Sequence, residues 1–116
     1  MSSFATIAAL IRQHRFPLND EKATQAALAE VLAGAGIAFE REVRLSPGDI
    51  PDFMLPGGIV IEVKLRCPRR QVIRQLERYA KHERVTGFIL VSNTAMSLPD
   101  IDGKPVQFVS LGQGWL

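Results

Sequence analysis

Asp52, Glu62 and Lys64 are the residues whose types and spacing could do chemistry together. Asp52-Phe53-Met54-Leu55 and Ile59 to Leu65 read as two strands joined by Pro56-Gly57-Gly58, a hairpin with a three-residue loop. That loop sets Leu55 opposite Ile59 and Asp52 opposite Glu62, with Cβ atoms ~4.5–5.5 Å apart on one face. Lys64 follows Glu62 by two residues and projects from the same face, while Ile61, Val63 and Leu65 fill the other.

Two carboxylates held that close repel each other, and covering the sheet with helices strengthens the repulsion by removing water. A hard divalent cation, Mg²⁺ with Mn²⁺ as a substitute, suits a site of carboxylate oxygens, a backbone carbonyl such as that of Val63, and water. Lys64 can then position or help deprotonate an attacking water while the cation polarises a phosphodiester.

The flanking elements must hold this hairpin. Phe4, Ile7, Ala8 and Ile11 recur at helical spacing behind a Ser2/Ser3 cap, and Pro17 ends that accessory helix. The next helix starts at Asn19 or Asp20 and stops at Gly34-Ala35-Gly36. Its buried stripe is Thr24, Ala27, Leu28, Val31, Leu32 and Ala35. Glu21 lies about 60° from Thr24, inside that stripe, and can supply a further ligand. Ile37 to Leu45 alternates as a strand, with Ile37, Phe39, Val43 and Leu45 on one side, a side that Arg41 interrupts. A second amphipathic helix spans about Arg69 to Glu83 on Val72, Ile73, Leu76, Tyr79 and Ala80. Gly87 to Ser92 is a buried strand and Val106 to Leu111 a weaker final one.

Pro51-Asp52, followed ten residues on by Glu62-Val63-Lys64, resembles the PD-(D/E)xK nuclease signature. The resemblance covers roughly Asp20 to Asn93, and Gln75-x-x-x-Tyr79 is similar to the QxxxY element of the RecB-like branch. It implies a restriction-endonuclease-like αβββαβ core, a mixed central sheet flanked by helices, here with an extra N-terminal helix. It implies that Asp52 and Glu62 coordinate the catalytic metal, that Glu21 assists, that Lys64 orients the water, and that Gln75 lies beside the site. Tyr79 would pack or contact the nucleic-acid backbone. The chain lacks the cysteines that bind an iron–sulfur cluster in some QxxxY nucleases. Small stand-alone members resemble Holliday-junction resolvases, which act as dimers on branched DNA.

The charge distribution points the same way although the net charge is only +2. Lys64, Arg66, Arg69, Arg70, Arg74, Arg78, Lys81 and Arg84 face only Glu77 and Glu83 within one segment, and Arg70, Arg74 and Arg78 recur every four residues, as a phosphate-binding helix face would. His14 and His82 have no ligand-pattern partner. Cys67, between Arg66 and Pro68, is a candidate for a lowered pKa but lacks a base; as the single cysteine it excludes an intramolecular disulfide and a multi-cysteine zinc site. Trp115 is placed to cover a core edge or a subunit contact.

No linker or repeat divides the 116 residues, so the expectation is one domain: residues 1–17 an accessory helix, 19–93 the motif-bearing core, 94–116 the last strand and tail. The uncharged run Val85 to Pro99 is shorter and more polar than the ~20 apolar residues of a membrane span, and no secretory signal is recognisable, which predicts cytoplasmic residence. The functional expectation is a Mg²⁺-dependent deoxyribonuclease, with endonucleolytic action on structured or branched DNA and homodimerisation as the finer readings. The alternative is a catalytically inactive nucleic-acid-binding module or nuclease-complex subunit on the same fold.

Overall fold

Ser3 caps the first helix as its side chain accepts from the Thr6 amide, and α1 runs Phe4–Arg12 with Ile7, Ala8 and Ile11 buried. Asp20 does the same for α2, Glu21–Gly34, accepting from the Ala23 amide. The computed structural model describes residues 3–111. Trp115 lies outside them.

After α2 the chain forms β1 (Glu40–Arg41), β2 (Phe53–Leu55), β3 (Ile59–Lys64), α3 (Arg69–Ala80), β4 (Gly87–Ser92) and β5 (Val106–Ser110). The strands make one sheet in the order β1-β2-β3-β4-β5. The β1/β2 and β2/β3 pairs are antiparallel, and β3/β4 and β4/β5 are parallel. The fold is therefore α/β with a mixed sheet, and α2 to β4 follow the αβββαβ order. No helix among the described residues is long and apolar enough to cross a membrane.

Alternation along the strands splits the core into two layers. Phe53, Leu55, Ile61, Val63, Ile89, Val91 and Val109 pack with Ile7, Ile11, Leu28 and Leu32 of α1 and α2. Met54, Val60, Phe88 and Leu90 pack with Val72, Leu76, Tyr79 and Ala80 of α3. Even-numbered positions of β3 thus face α3, which places Glu62 and Lys64 on that side.

The expected strand over Ile37 to Leu45 is much shorter, and its single apolar side does not exist. Ile37 and Phe39 pack on the α1/α2 layer, whereas Val43 and Leu45 pack on the α3 layer. The cause is Glu42, whose φ of 51° turns the chain and reverses the side-chain parity beyond it. Arg41 does not break the layer it faces: its guanidinium lies 4.7 Å from the Phe53 ring centroid and donates to Gln25 Oε1 at 3.1 Å. Two smaller differences follow from chain ends. Ala35 is an exposed C-cap rather than part of a buried stripe, and α3 stops at Ala80, where the Lys104 ammonium takes the Ala80 and His82 carbonyls.

The hairpin turn admits no side chain at its last position. Gly57 and Gly58 both have φ of 88°, but a Cβ on Gly58 would lie 1.9 Å from the Arg84 carbonyl oxygen, whereas one on Gly57 meets nothing within 4 Å. Gly58→Ala should therefore destabilise the protein by about 3 kcal/mol or more and Gly57→Ala by only about 1 kcal/mol, as measured by urea unfolding. Equal losses would contradict the turn geometry.

Candidate metal centre

The hairpin register is Phe53↔Ile61, Met54↔Val60 and Leu55↔Ile59. Continued by one step, it sets Asp52 against Glu62, as the three-residue loop predicts. The two acids interlock with main-chain amides. The Asp52 amide donates to Glu62 Oε1 at 2.7 Å, and the Val63 amide donates to Asp52 Oδ2 at 2.8 Å. Lys64 Nζ stands 3.7 Å from Glu62 Oε2.

Glu21, at the first residue of α2, reaches the exit of β3, where its Oε2 accepts from the Leu65 amide at 3.0 Å. The structure therefore brings Glu21, Asp52, Glu62 and Lys64 to one end of the sheet. Among the described residues, however, no three His, Cys, Asp or Glu side chains are grouped so as to hold a metal ion. Glu21 flanks the pair, near enough for its charge to raise the Asp52 carboxyl.

Burial dominates the electrostatics. Glu62 is 2% exposed, and desolvation followed by the Asp52 charge pushes its carboxyl up to about 8. Asp52 is also raised, again chiefly by burial, against the opposing Val63 amide and Lys64 charge. An acid pair that resists ionisation has an unmet demand for positive charge, and Lys64 alone does not remove it. The donors suit a hard cation: Asp52 Oδ1 accepts no hydrogen bond among the described residues, and Glu62 Oε2 faces the Lys64 ammonium at 3.7 Å. Strand alternation directs the Val63 carbonyl to the same side as its amide, towards Asp52. Mg²⁺ is commonly held by one or two carboxylates with water completing the shell, so the pair fits it without a third acid.

The expected phosphate-contacting residues divide into three groups. Arg70, Arg74 and Lys81 are exposed and form no ion pair among the described residues. Arg69, Arg78 and Arg66 are exposed but engaged, with Arg69 Nε on the Ser97 carbonyl, Arg78 Nε on Asp49, and the Arg66 guanidinium on the Leu18 carbonyl of the α1–α2 linker. Tyr79 corrects its expected role in backbone contact. It is 1% exposed within the α3 layer, so it packs rather than contacts a ligand. Burial and the nearby Glu62 and Asp52 charges hold its hydroxyl well above the usual phenol range. Gln75 is half-buried one turn before Tyr79.

Residues that carried no motif signal also contribute. His82 Nε2 lies 3.0 Å from Asp49 Oδ2, Arg78 bonds the other oxygen, and the Ser46 hydroxyl completes the cluster, tying the turn before Pro51-Asp52 to the end of α3. The His82 contact is the main reason that the Asp49 carboxyl lies below its ordinary range. No spacing rule could find this pair, because it joins residues 33 apart. Cys67 behaves oppositely to an activated thiol, since burial pushes it up. A cavity of about 550 Å³ opens at the other end of the hairpin, beside Ile7, Ile37, Leu55 and Ile59, away from the acids.

Glu62 makes stability depend on pH in a defined direction. In the unfolded chain its carboxyl ionises near 4.5, whereas in the folded protein it keeps its proton to about 8. The folded state binds the extra proton across that window, so stability falls as pH rises from 4.5 to 8 and levels off above. Without divalent cations, Glu62→Gln should be more stable than the parent protein at pH 8, by roughly 1–3 kcal/mol, and this gain should vanish towards pH 4.5. A pH-independent difference in urea unfolding would contradict the assignment.

Comparison with protein-family models, with curated proteins and with solved structures finds no match.

Proposed function

We propose that the chain is a Mg²⁺-dependent nuclease that hydrolyses phosphodiester bonds in DNA. The observation that carries this reading is the buried Glu62 beside the half-buried Asp52, with Lys64 on the same face of β3. The PD-(D/E)xK resemblance gives that constellation its reaction class, and the αβββαβ element order is consistent with it.

Asp52 Oδ1, Glu62 Oε2 and the Val63 carbonyl would hold the metal. When bound, Mg²⁺ neutralises the acid pair and offers charge stabilisation to a phosphoryl oxygen. Lys64, one alternation beyond Glu62, holds the attacking water in line by hydrogen bonding. Glu21 keeps the end of β3 in place through the Leu65 amide. Arg70 and Arg74, one helical turn apart and free of acidic partners among the described residues, bind successive phosphates.

One observation favours a second reading, a nucleic-acid-binding module with no catalysis. Each acid already accepts a main-chain amide, so the hydrogen bonds alone account for their placement. Salt-sensitive binding without cleavage of duplex, single-stranded, flapped or four-way DNA would identify it.

Three measurements test the nuclease. Mg²⁺ or Mn²⁺ at about 100 times its Kd should stabilise the protein by roughly 2.7 kcal/mol and leave the Asp52→Asn/Glu62→Gln variant unaffected. DNA cleavage should require the cation and increase from pH 6 to 8 at subsaturating Mg²⁺, because binding displaces the Glu62 proton. It should drop about a thousandfold in Glu62→Gln and about a hundredfold in Lys64→Ala. Arg74→Ala should reduce the slope of log affinity against log salt by about one, with little dependence on sequence. Cleavage persisting in Glu62→Gln sinks the assigned centre.

A further inference from the structure

At the exit of β3 two successive amides lie beyond the paired region. The β3/β4 register ends at Lys64↔Ser92, and β2 begins only at Phe53, opposite Ile61. Strand alternation points the Leu65 amide towards the β2 side and the Arg66 amide towards β4. Side chains complete both ladders: Glu21 Oε2 takes the Leu65 amide, and Asn93 Oδ1 takes the Arg66 amide at 2.8 Å. Arg66 has a φ of 53°, in the left-handed region that an arginine rarely occupies, so this exit is set by its surroundings rather than by its own preference. Its guanidinium bonds the Leu18 carbonyl, which adds a tie from this exit to the α1–α2 linker. Asn93 itself is fixed between the buried Ser92, whose hydroxyl accepts from the Thr94 amide, and the bend that follows β4.

We infer that Asn93 is a positioning residue for Lys64. It holds the left-handed turn at Arg66 and thereby fixes the last residues of β3, from which the Lys64 side chain extends to Glu62. The inference deepens the nuclease reading and rests on it for its kinetic consequence. Losing the Asn93 acceptor frees the Arg66 amide, lets residue 66 relax towards negative φ, and shifts Lys64 relative to the acid pair without touching substrate or metal.

The test pairs kinetics with amide exchange. Asn93→Ala should lower kcat for Mg²⁺-dependent DNA cleavage by about tenfold, with KM changed less than about twofold because no contact to DNA is lost. Asn93→Asp, which keeps an acceptor at the same place, should retain most of kcat. In an Arg66→Gly background, where the left-handed conformation is intrinsic, Asn93→Ala should cost less than about twofold. Exchange of the Arg66 amide should accelerate about tenfold in Asn93→Ala, while that of Ile61 stays constant. A kcat equal to that of the parent, an effect confined to KM, or an Asp variant as impaired as the Ala variant would overturn the inference. Wild-type protein that cleaves no DNA with Mg²⁺ or Mn²⁺ overturns the nuclease reading instead, and the exchange rates then decide by themselves whether Asn93 holds the strand exit.

Discussion

Backbone amides of β3 that outlast their neighbouring strand are the constraint on which the candidate centre depends. β2 begins at Phe53, so the Val63 and Leu65 amides face a position where no further strand residue stands. An unpaired amide beside the buried Val63 and Leu65 would cost about 1–3 kcal/mol, and here each is taken by a carboxylate, Asp52 for Val63 and Glu21 for Leu65. The acids therefore occupy the place of absent strand, and their convergence follows from hydrogen-bond accounting before any ligand is considered.

That solution creates an electrostatic difficulty that local hydrogen bonds only partly relieve. One amide per acid lowers the cost of its charge, yet burial outweighs it for both Asp52 and Glu62. Asp52 remains half-buried, which leaves the pair a route to solvent on the side where the hairpin frays. Carboxylate oxygens that burial holds above their ordinary range, on a pair of which Asp52 is half open to solvent, have the donor chemistry of a hard-cation site.

Much of this arrangement is legible in the chain itself. The loop Pro56-Gly57-Gly58 determines which residues face each other, so the Asp52/Glu62 pairing follows from counting, and Ser3 and Asp20 mark their helix starts by capping chemistry. What fails is parity across Glu42. A left-handed residue of ordinary type carries no mark in the sequence, and it moves Val43 and Leu45 to the opposite layer. Asn93 is hidden for the same reason, since it acts on the left-handed Arg66 across 27 positions. Tyr79 is different: its period marks a core stripe, and its burial supports the packing that the QxxxY resemblance allowed over the ligand contact it also allowed.

The position of the basic helix relative to the acids follows from topology. β3 and β4 are parallel, so the chain between them must cross over the sheet, and α3 is that crossover. The face it covers is the one to which the even residues of β3 project, and Glu62 and Lys64 are even residues. Arg70 and Arg74 therefore stand on the outside of the helix whose inner side covers the acids, and the Asp49 contacts with Arg78 and His82 bind its far end to the turn that leads into Asp52. Insertion of a single residue into β3 before Glu62 would send the acid to the α1/α2 layer, among Leu28 and Leu32, with no basic helix above it and no amide partner from Asp52. The tie between the basic helix and the acid pair thus lies in strand parity and crossover, not in any contact between arginine and carboxylate.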